Sequence, residues 1–371
     1  MIETGVLQRY SEGAVAVQAD LCCPVDYDRS LLALLPEEII AKDYGCGDPS
    51  RYVQKGNVVL DLGSGSGKIC YMAAQLVGAT GKVIGVDMND DMLALARKYQ
   101  ADMAEKIGVA NVDFVKGQIQ DLALDLAALD QHLQAHPVTT AQDVIRLRAW
   151  QEQQRQQAPL IADNSVDLVV SNCVLNLVHD SDKTQLVQEI FRVTKPGGRV
   201  AISDIVSDEP VPAHLKADSQ LWSGCISGAL QEHEFLAAFV AAGFVAVSYD
   251  KWESQPWQVV EGIEFRSVTI TAIKPHAEPR LDQGHAVMYR GPFSKVYDDD
   301  GLVFYRGQRM AVSGRSYKLL TSGVYADHFI GIAPVQPQTP KKWCHAPGTL
   351  RPATETKGAA HQADSAASGC C

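Results

Sequence analysis

The run Asp61-Leu62-Gly63-Ser64-Gly65-Ser66-Gly67 constrains this chain more than any other stretch. It follows the apolar Val58-Val59-Leu60 and precedes a segment whose apolar residues Ile69, Met72, Ala73 and Leu76 recur at helical spacing. Glycine at such a strand-to-helix turn leaves the backbone bare, so a ligand can approach the free amides at the helix start. Lys82 to Val86 reads as the next strand and stops at Asp87, 20 residues after Gly67. From that position a carboxylate accepts hydrogen bonds from ribose hydroxyls. Lys68 stands where a dinucleotide fingerprint would carry its third glycine, so the spacing points away from a pyrophosphate and toward S-adenosylmethionine. The cofactor side is therefore assigned to Asp61, Gly63, Ser64, Gly65, Gly67 and Asp87. Gln118 and Ile119 fall beside the adenine or form an ordinary strand exit, and Met88 packs on the adenine face or in the core.

Around this nucleus the chain alternates strand and helix. Asp90 precedes a helix carrying Met92, Leu93, Leu95 and Ala96, and Val112 to Val115 is a third strand. Val166 to Val170 is a buried strand, a helix with Leu186, Ile190 and Val193 ends at Lys195-Pro196-Gly197-Gly198, and Arg199 to Ile202 is the next strand. Val245 to Tyr249 and Val268 to Ile273 lie close enough to form an antiparallel edge pair. Between about 121 and 159, Leu122, Leu126, Leu129 and Leu133 mark a helical insertion. The polar stretch Pro275 to Gly284 leads into short β-like runs from Met288 to Tyr305. The expected organisation is an N-terminal segment, 1–55, a cofactor-binding domain, 56–274, a small β-rich module, 275–334, and a mobile cysteine-containing tail, 335–371.

A net charge of -11 leaves no broad cationic surface for phosphates, which disfavours nucleic acid and acidic membranes as partners. The start has no leader-like pattern and no apolar run is long enough to span a bilayer, so a cytoplasmic location is expected. Nine cysteines in 371 residues are too few and too odd in number for a disulfide scaffold, and no C-x-x-C pair suggests structural zinc. The strand Val166 to Val170 leads through Ser171-Asn172 to Cys173, at the carboxyl end where ligands of open α/β sheets bind, and Cys46 and Cys225 each sit beside glycine near the same edge. Singly each cysteine reads as a small buried hydrophobe; three together read as a site.

The stretches Tyr44-Gly45-Cys46-Gly47, Asp61 to Gly67, Ser171-Asn172-Cys173-Val174-Leu175-Asn176-Leu177-Val178 and Gly224-Cys225, in that order, resemble the arsenite methyltransferases. The resemblance runs from Asp20 to about Lys274, weakens through the β-rich module and returns in Gly369-Cys370-Cys371. It implies an α/β, Rossmann-like class I methyltransferase fold: a mostly parallel sheet with an antiparallel edge, plus the β-rich module. It also implies that Cys46, Cys173 and Cys225 hold trivalent arsenic and that Cys22 or Cys23 takes part in redox chemistry. Tyr44 and Asn172 are placed near the cofactor.

Trivalent arsenic is a soft centre with three exchangeable positions and a lone pair, so thiolates suit it and no protein base is needed for attack on a sulfonium methyl. A thiol reductant is the expected co-substrate, with a thioredoxin-type reductant as partner, because the methylated product must return to the trivalent state. The implied role is arsenic detoxification. Two rivals remain at this level: methylation of a small organic acceptor, which needs a general base, and a metalloid-sequestering protein without a cofactor.

Overall fold

The apolar run at Val58 continues through Asp61 to form the central strand β1 (Val58–Leu62) of a computed structural model that describes residues 2–18 and 25–357. The chain divides between Lys274 and Pro275 into two compact units. In the first, helix α1 (Ile2–Val15) and the short helices α2 (Arg29–Leu32) and α3 (Glu37–Ala41) precede β1. Alternation follows with α4 (Lys68–Val77), β2 (Lys82–Asp87), α5 (Asp90–Lys98), α6 (Gln100–Ile107) and β3 (Val112–Lys116). Helices α7 (Leu126–Ala135) and α8 (Ala141–Gln157) form the insertion, and β4 (Val166–Asn172), α9 (Lys183–Val193) and β5 (Thr194–Ser207) return to the sheet. The unit ends with α10 (Ala213–Lys216), α11 (Ser219–Ser223), β6 (Leu230–Gln231), α12 (Glu232–Ala242), β7 (Val245–Trp252), β8 (Gln258–Val260) and β9 (Ile263–Ile273).

The main sheet runs β3-β2-β1-β4-β5-β9-β7. Its first five strands are parallel, and β9 lies antiparallel between β5 and β7. This is the expected mostly parallel sheet with an antiparallel edge. The chain leaves β1 to one side and resumes at β4 on the other, and such a reversal opens a crevice at the carboxyl ends of the two strands. Leu62 is in register with Ser171, so Gly63 and Asn172 leave the sheet side by side. Successive residues of β1 face opposite layers: Val59 packs with Tyr71, Met72 and Leu93, and Leu60 with Ile190, Phe235 and Phe239. Each such side chain contributes about 1.5 to 3 kcal/mol by leaving water.

Three elements differ from the sequence reading. Strand β5 begins at Thr194, before the expected Lys195-Pro196-Gly197-Gly198 turn, which it includes, and runs to Ser207 because β9 pairs with it residue by residue from Arg199 to Ser207. Leu122 is fully buried beneath the sheet rather than helical, and neither α7 nor α8 buries a residue. The insertion is instead pinned at its base, where Arg155 Nε and Nη2 donate to Asp121 Oδ2 at 3.0 and 2.9 Å. Helix α1 had no counterpart in the reading. Among the described residues, no helix is long and apolar enough to cross a membrane.

The second unit contains β10 (Leu281–Asp282), β11 (Ala286–Tyr289), β12 (Lys295–Tyr297), β13 (Val303–Tyr305), β14 (Arg309–Ala311), α13 (Gly314–Leu320), β15 (Phe329–Ile332) and β16 (Lys341–Lys342). Val287, Phe304, Met310, Leu320 and Phe329 give it a core of its own. The stretch 335–357 is not the expected tail, since β16 pairs with β10 and the buried Arg351 donates to Asp282 Oδ1 at 2.6 Å. Charge pairing and backbone ladders order a segment whose apolar content alone would not. Residues 358–371, with Cys370 and Cys371, lie outside the described residues.

Candidate active site

The carboxyl ends of β1, β2 and β4 border a cleft lined by Asp61, Gly63, Ser64, Gly65, Asp87 and Asn172, among others. The glycine loop is shaped by backbone geometry: Gly63 and Gly65 have φ of 66° and 51°, the left-handed region open to glycine. At Gly63 a Cβ would also lie 2.4 Å from a Val174 methyl. At Gly65 a Cβ would meet nothing within 4 Å, because that residue borders open space. Asp87 braces the loop by accepting from Gly65 N–H and Asn89 N–H, each at 2.8 Å. Burial raises its carboxyl above the ordinary range against these backbone donors. Ser64 Oγ is buried at the cleft wall without a hydrogen-bond partner among the described residues, as a ligand-facing hydroxyl would be.

Met88 and Ile119 line the cleft, as does Tyr44, whose hydroxyl donates to the Gly13 carbonyl at 2.9 Å. Two assigned residues are not among its lining. Gly67 caps α4, and a Cβ there would lie 2.7 Å from the Phe114 ring, so its glycine serves packing. Gln118 opens a tight turn closed by Asp121 N–H to its carbonyl at 3.1 Å, and that turn presents Ile119 and Gln120 instead. Lys68, beneath the loop, pairs with Asp43 at 2.5 Å and lies 3.6 Å from the Tyr27 ring, which ties the Tyr44 to Cys46 segment to the start of α4.

Cys46, Cys173 and Cys225 come together in one buried cluster, and Cys173 also lines the cleft. Cys46 and Cys173 form a disulfide with Cα atoms 5.8 Å apart, so the arrangement is the oxidised one. Cys225 Sγ donates to the Cys173 carbonyl at 3.2 Å. Cys173 and Cys225 adopt φ of 59° and 63°, a region that side-chain-bearing residues rarely occupy. Buried polar groups hold them there. Asp204 accepts from Leu175 N–H at 2.9 Å and Ile205 N–H at 2.8 Å, and Asn176 Nδ2 donates to the Ile205 carbonyl at 2.7 Å and the Cys225 carbonyl at 3.2 Å. Cys22 and Cys23 lie outside the described residues.

Helix α1, absent from the sequence reading, crosses this region. Arg9 donates to the Gln220 carbonyl at 2.9 Å and to Ser223 Oγ at 2.8 Å, and Asn89 Nδ2 donates to the Leu7 carbonyl at 3.1 Å. Tyr10 lines the cleft, packs edge-on to Tyr44 with centroids 6.1 Å apart, and hydrogen-bonds Cys225. Burial, then the adjacent thiol, raise its hydroxyl well above the usual tyrosine range, so it stays protonated.

A glycine loop leaving β1, a carboxylate ending β2 and a cleft at the β1/β4 reversal define a nucleoside-binding methyltransferase domain, and the methyltransferase domain family matches residues 53–243. Residues 276–361 match a domain of unknown function, DUF8838. The chain is 31% identical over 342 residues to the arsenite methyltransferase of Aquipseudomonas alcaligenes, with 87% of each covered. It is 30% identical over 356 residues to that of Mus musculus, covering 90% of this chain and 84% of the relative. Its fold is similar to the crystal structure of an arsenic (III) S-adenosylmethionine methyltransferase from Chlamydomonas reinhardtii, with a TM-score of 0.54 and 28% identity, covering 87% of this chain and 100% of that one. The chain belongs to the arsenite methyltransferase family.

Asp61 makes the cleft sensitive to pH. Burial, opposed by the Cys70 thiol donating at 3.2 Å and reinforced by Asp43 and Asp87, pushes its carboxyl up to about 7. An acid whose folded value exceeds its unfolded one destabilises the fold as pH rises through the interval between them, here about 4 to 7. A cation in the cleft favours the ionised form and offsets that loss. Stabilisation by the cationic S-adenosylmethionine is therefore expected to grow between pH 6 and pH 8, measured as the shift in melting temperature. In Asp61→Asn the shift should be flat across that range; an unchanged slope would remove Asp61 as its source.

Proposed function

We propose that this chain transfers the methyl group of S-adenosylmethionine to trivalent arsenic held by the thiolates of Cys46, Cys173 and Cys225. The observation that carries the reading is the convergence of three sequence-distant cysteines in one buried cluster, of which Cys173 lines the glycine-loop cleft. Three soft thiolates match a thiophilic, three-position substrate and leave its lone pair free. S-adenosylmethionine supplies the methyl group on a sulfonium leaving group. The protein's part is positional: Asp204 and Asn176 fix the two loops that carry Cys173 and Cys225, while Asp87 braces the cofactor loop. Fixing both reactants in line supplies up to about 7 to 11 kcal/mol of barrier reduction.

Binding through all three thiolates requires reduction of the Cys46–Cys173 disulfide, so an external thiol is a co-substrate. Donation of the lone pair to a methyl group leaves arsenic pentavalent. Two electrons restore it, supplied when two thiolates join as a disulfide, with Cys22 or Cys23 or a thioredoxin-type reductant as partner. Reducing conditions of this kind suit the cytoplasm, and the activity serves arsenic detoxification. Product analysis after mixing protein, S-adenosylmethionine, thiol and arsenite tests the reading. Methylated arsenicals are expected, and cofactor consumption without them would overturn it.

The residues given these roles all precede Pro275, and the second unit has its own core. A chain ending at Lys274 is expected to melt cooperatively and to bind S-adenosylmethionine with unchanged affinity, as calorimetry would show. Loss of the cooperative melt would make the second unit part of the first fold.

A further inference from the structure

Asn172 ends β4 and lines the cleft, which makes it read as a cofactor contact. Its side chain is engaged elsewhere. Oδ1 accepts from Cys46 N–H at 2.8 Å and Gly47 N–H at 2.9 Å, while Nδ2 donates to the Gly47 carbonyl at 2.8 Å and the Tyr27 hydroxyl at 3.3 Å. A primary amide has two donors and one carbonyl oxygen with two lone pairs, so this one has no hydrogen-bonding capacity left for a ligand. We infer that Asn172 is a positioning residue that delivers Cys46 to Cys173, not a cofactor contact. The inference rests on reading these cysteines as the arsenic ligands.

The surrounding geometry supports it. A Cβ on Gly45 would lie 2.0 Å from Asn172 Nδ2, and one on Gly47 would lie 2.3 Å from Ser203 Oγ, so the Cys46 loop docks backbone-first on β4 and β5. Ser267, on β9, donates its hydroxyl to the Cys46 carbonyl at 2.6 Å. The Cys46 residue is thus gripped at its N–H by Asn172 and at its carbonyl by Ser267. While the disulfide is closed, a covalent bond also keeps Cys46 beside Cys173. Reduction by the external thiol, two thiolates being oxidised to a disulfide as this one opens, breaks that bond, and from then on the polar grips on its backbone hold the thiol in reach. Arsenite, with three exchangeable positions, needs this third thiol; monomethylated trivalent arsenic, with two, does not. Loosening the grip therefore discriminates between the two substrates.

The test compares kcat/KM for arsenite and for monomethylated trivalent arsenic, under excess thiol, in Asn172→Ala, Asn172→Asp and Ser267→Ala, with Cys46→Ser as reference. Calorimetry gives the S-adenosylmethionine Kd of each variant. Asn172→Ala should lower the ratio of arsenite to monomethylated activity about 10- to 100-fold at unchanged cofactor Kd. Asn172→Asp, which keeps the acceptors and loses the donors, should fall between it and the parent. Ser267→Ala should shift the ratio the same way; if Asn172→Ala does not fold, an unchanged ratio in Ser267→Ala overturns the grip. A raised cofactor Kd with an unchanged ratio, or equal loss on both substrates, overturns the inference. A readout independent of arsenic separates this claim from the ligand reading: after reduction, removal of thiol and addition of a small-molecule disulfide as the oxidant, which is itself reduced to two thiols, the Cys46–Cys173 disulfide should close more slowly in Asn172→Ala. Slower closure upholds positioning even if Cys46→Ser leaves the substrate ratio unchanged, which would sink only the ligand reading; closure at the parent rate overturns positioning.

Discussion

Cys46→Ser is expected to lower methylation of arsenite by about a hundredfold or more while sparing much of the activity on monomethylated trivalent arsenic. The argument is one of valence and placement. Once a methyl group occupies one position of arsenic, two exchangeable positions remain and one of three thiols is surplus. Cys173 and Cys225 are held to each other by the Cys225 Sγ contact with the Cys173 carbonyl at 3.2 Å and by the Asp204 and Asn176 network. Cys46 arrives from the segment before β1 and is held by its backbone, so its thiol is removed with least disturbance to the other two. Cys173→Ser and Cys225→Ser should each abolish both reactions, since the two thiolates left then include Cys46 and only one of the mutually held pair, and that pair is what fixes the metalloid in line with the breaking bond. Transfer of labelled methyl groups to each arsenical, with excess external thiol, reads the outcome. Equal loss of both activities in Cys46→Ser, or retention of either in Cys173→Ser, would refute this division of roles.

The second large effect concerns Asp87. As the proposed ribose acceptor it makes contacts that Asp87→Ala removes, and it also braces Gly65 and Asn89 through their backbone N–H groups. Hydrogen bonds to a charged group contribute about 1.5 to 3 kcal/mol each, so losing even one is expected to weaken S-adenosylmethionine binding by roughly 10- to 100-fold. Arsenite stoichiometry on the reduced protein should not change, because the thiol cluster shares no side chain with the Asp87 brace. Calorimetry with each ligand separates the two. Parent-like cofactor affinity would take Asp87 out of the site.

The parts of the fold that were legible in the sequence are those where one local signal decides. The β1 loop, α4, β2 and Asp87 combine an apolar run, three closely spaced glycines and a helical period, and they stand where expected. Strand β5 was legible only to Ile202 because Ser203 and Asp204 interrupt its apolar run. Both are fully buried, Ser203 paired with Thr269 at 2.8 Å and Asp204 with backbone amides, and partners so distant leave no local trace. The β-rich module was underestimated for a related reason, since Arg351 and Asp282 meet across a long stretch of chain.

At the site, glycine neighbours and a strand end singled out the three cysteines, which the structure brings into one cluster. Tyr10 leaves no trace in the sequence because α1 meets its partners more than two hundred residues away, Arg9 at Ser223 and Tyr10 at Cys225. Ser267 carried no signal at all: a serine inside a strand reads as solvent-facing until the Cys46 carbonyl is found against it.

The left-handed backbone at Cys173 and Cys225 has a consequence for how this chain can be improved. A residue with a Cβ held there costs about 1 to 2 kcal/mol relative to glycine, and two such sites amount to a sizeable part of the margin by which a domain stays folded. Stability and reactivity therefore pull in opposite directions at the same two codons. Selection for heat resistance alone would drift toward glycine at both and return a sturdier protein with two of its three thiols gone. Engineering for robustness in this scaffold is best confined to elements that bury no residue, such as α7 and α8.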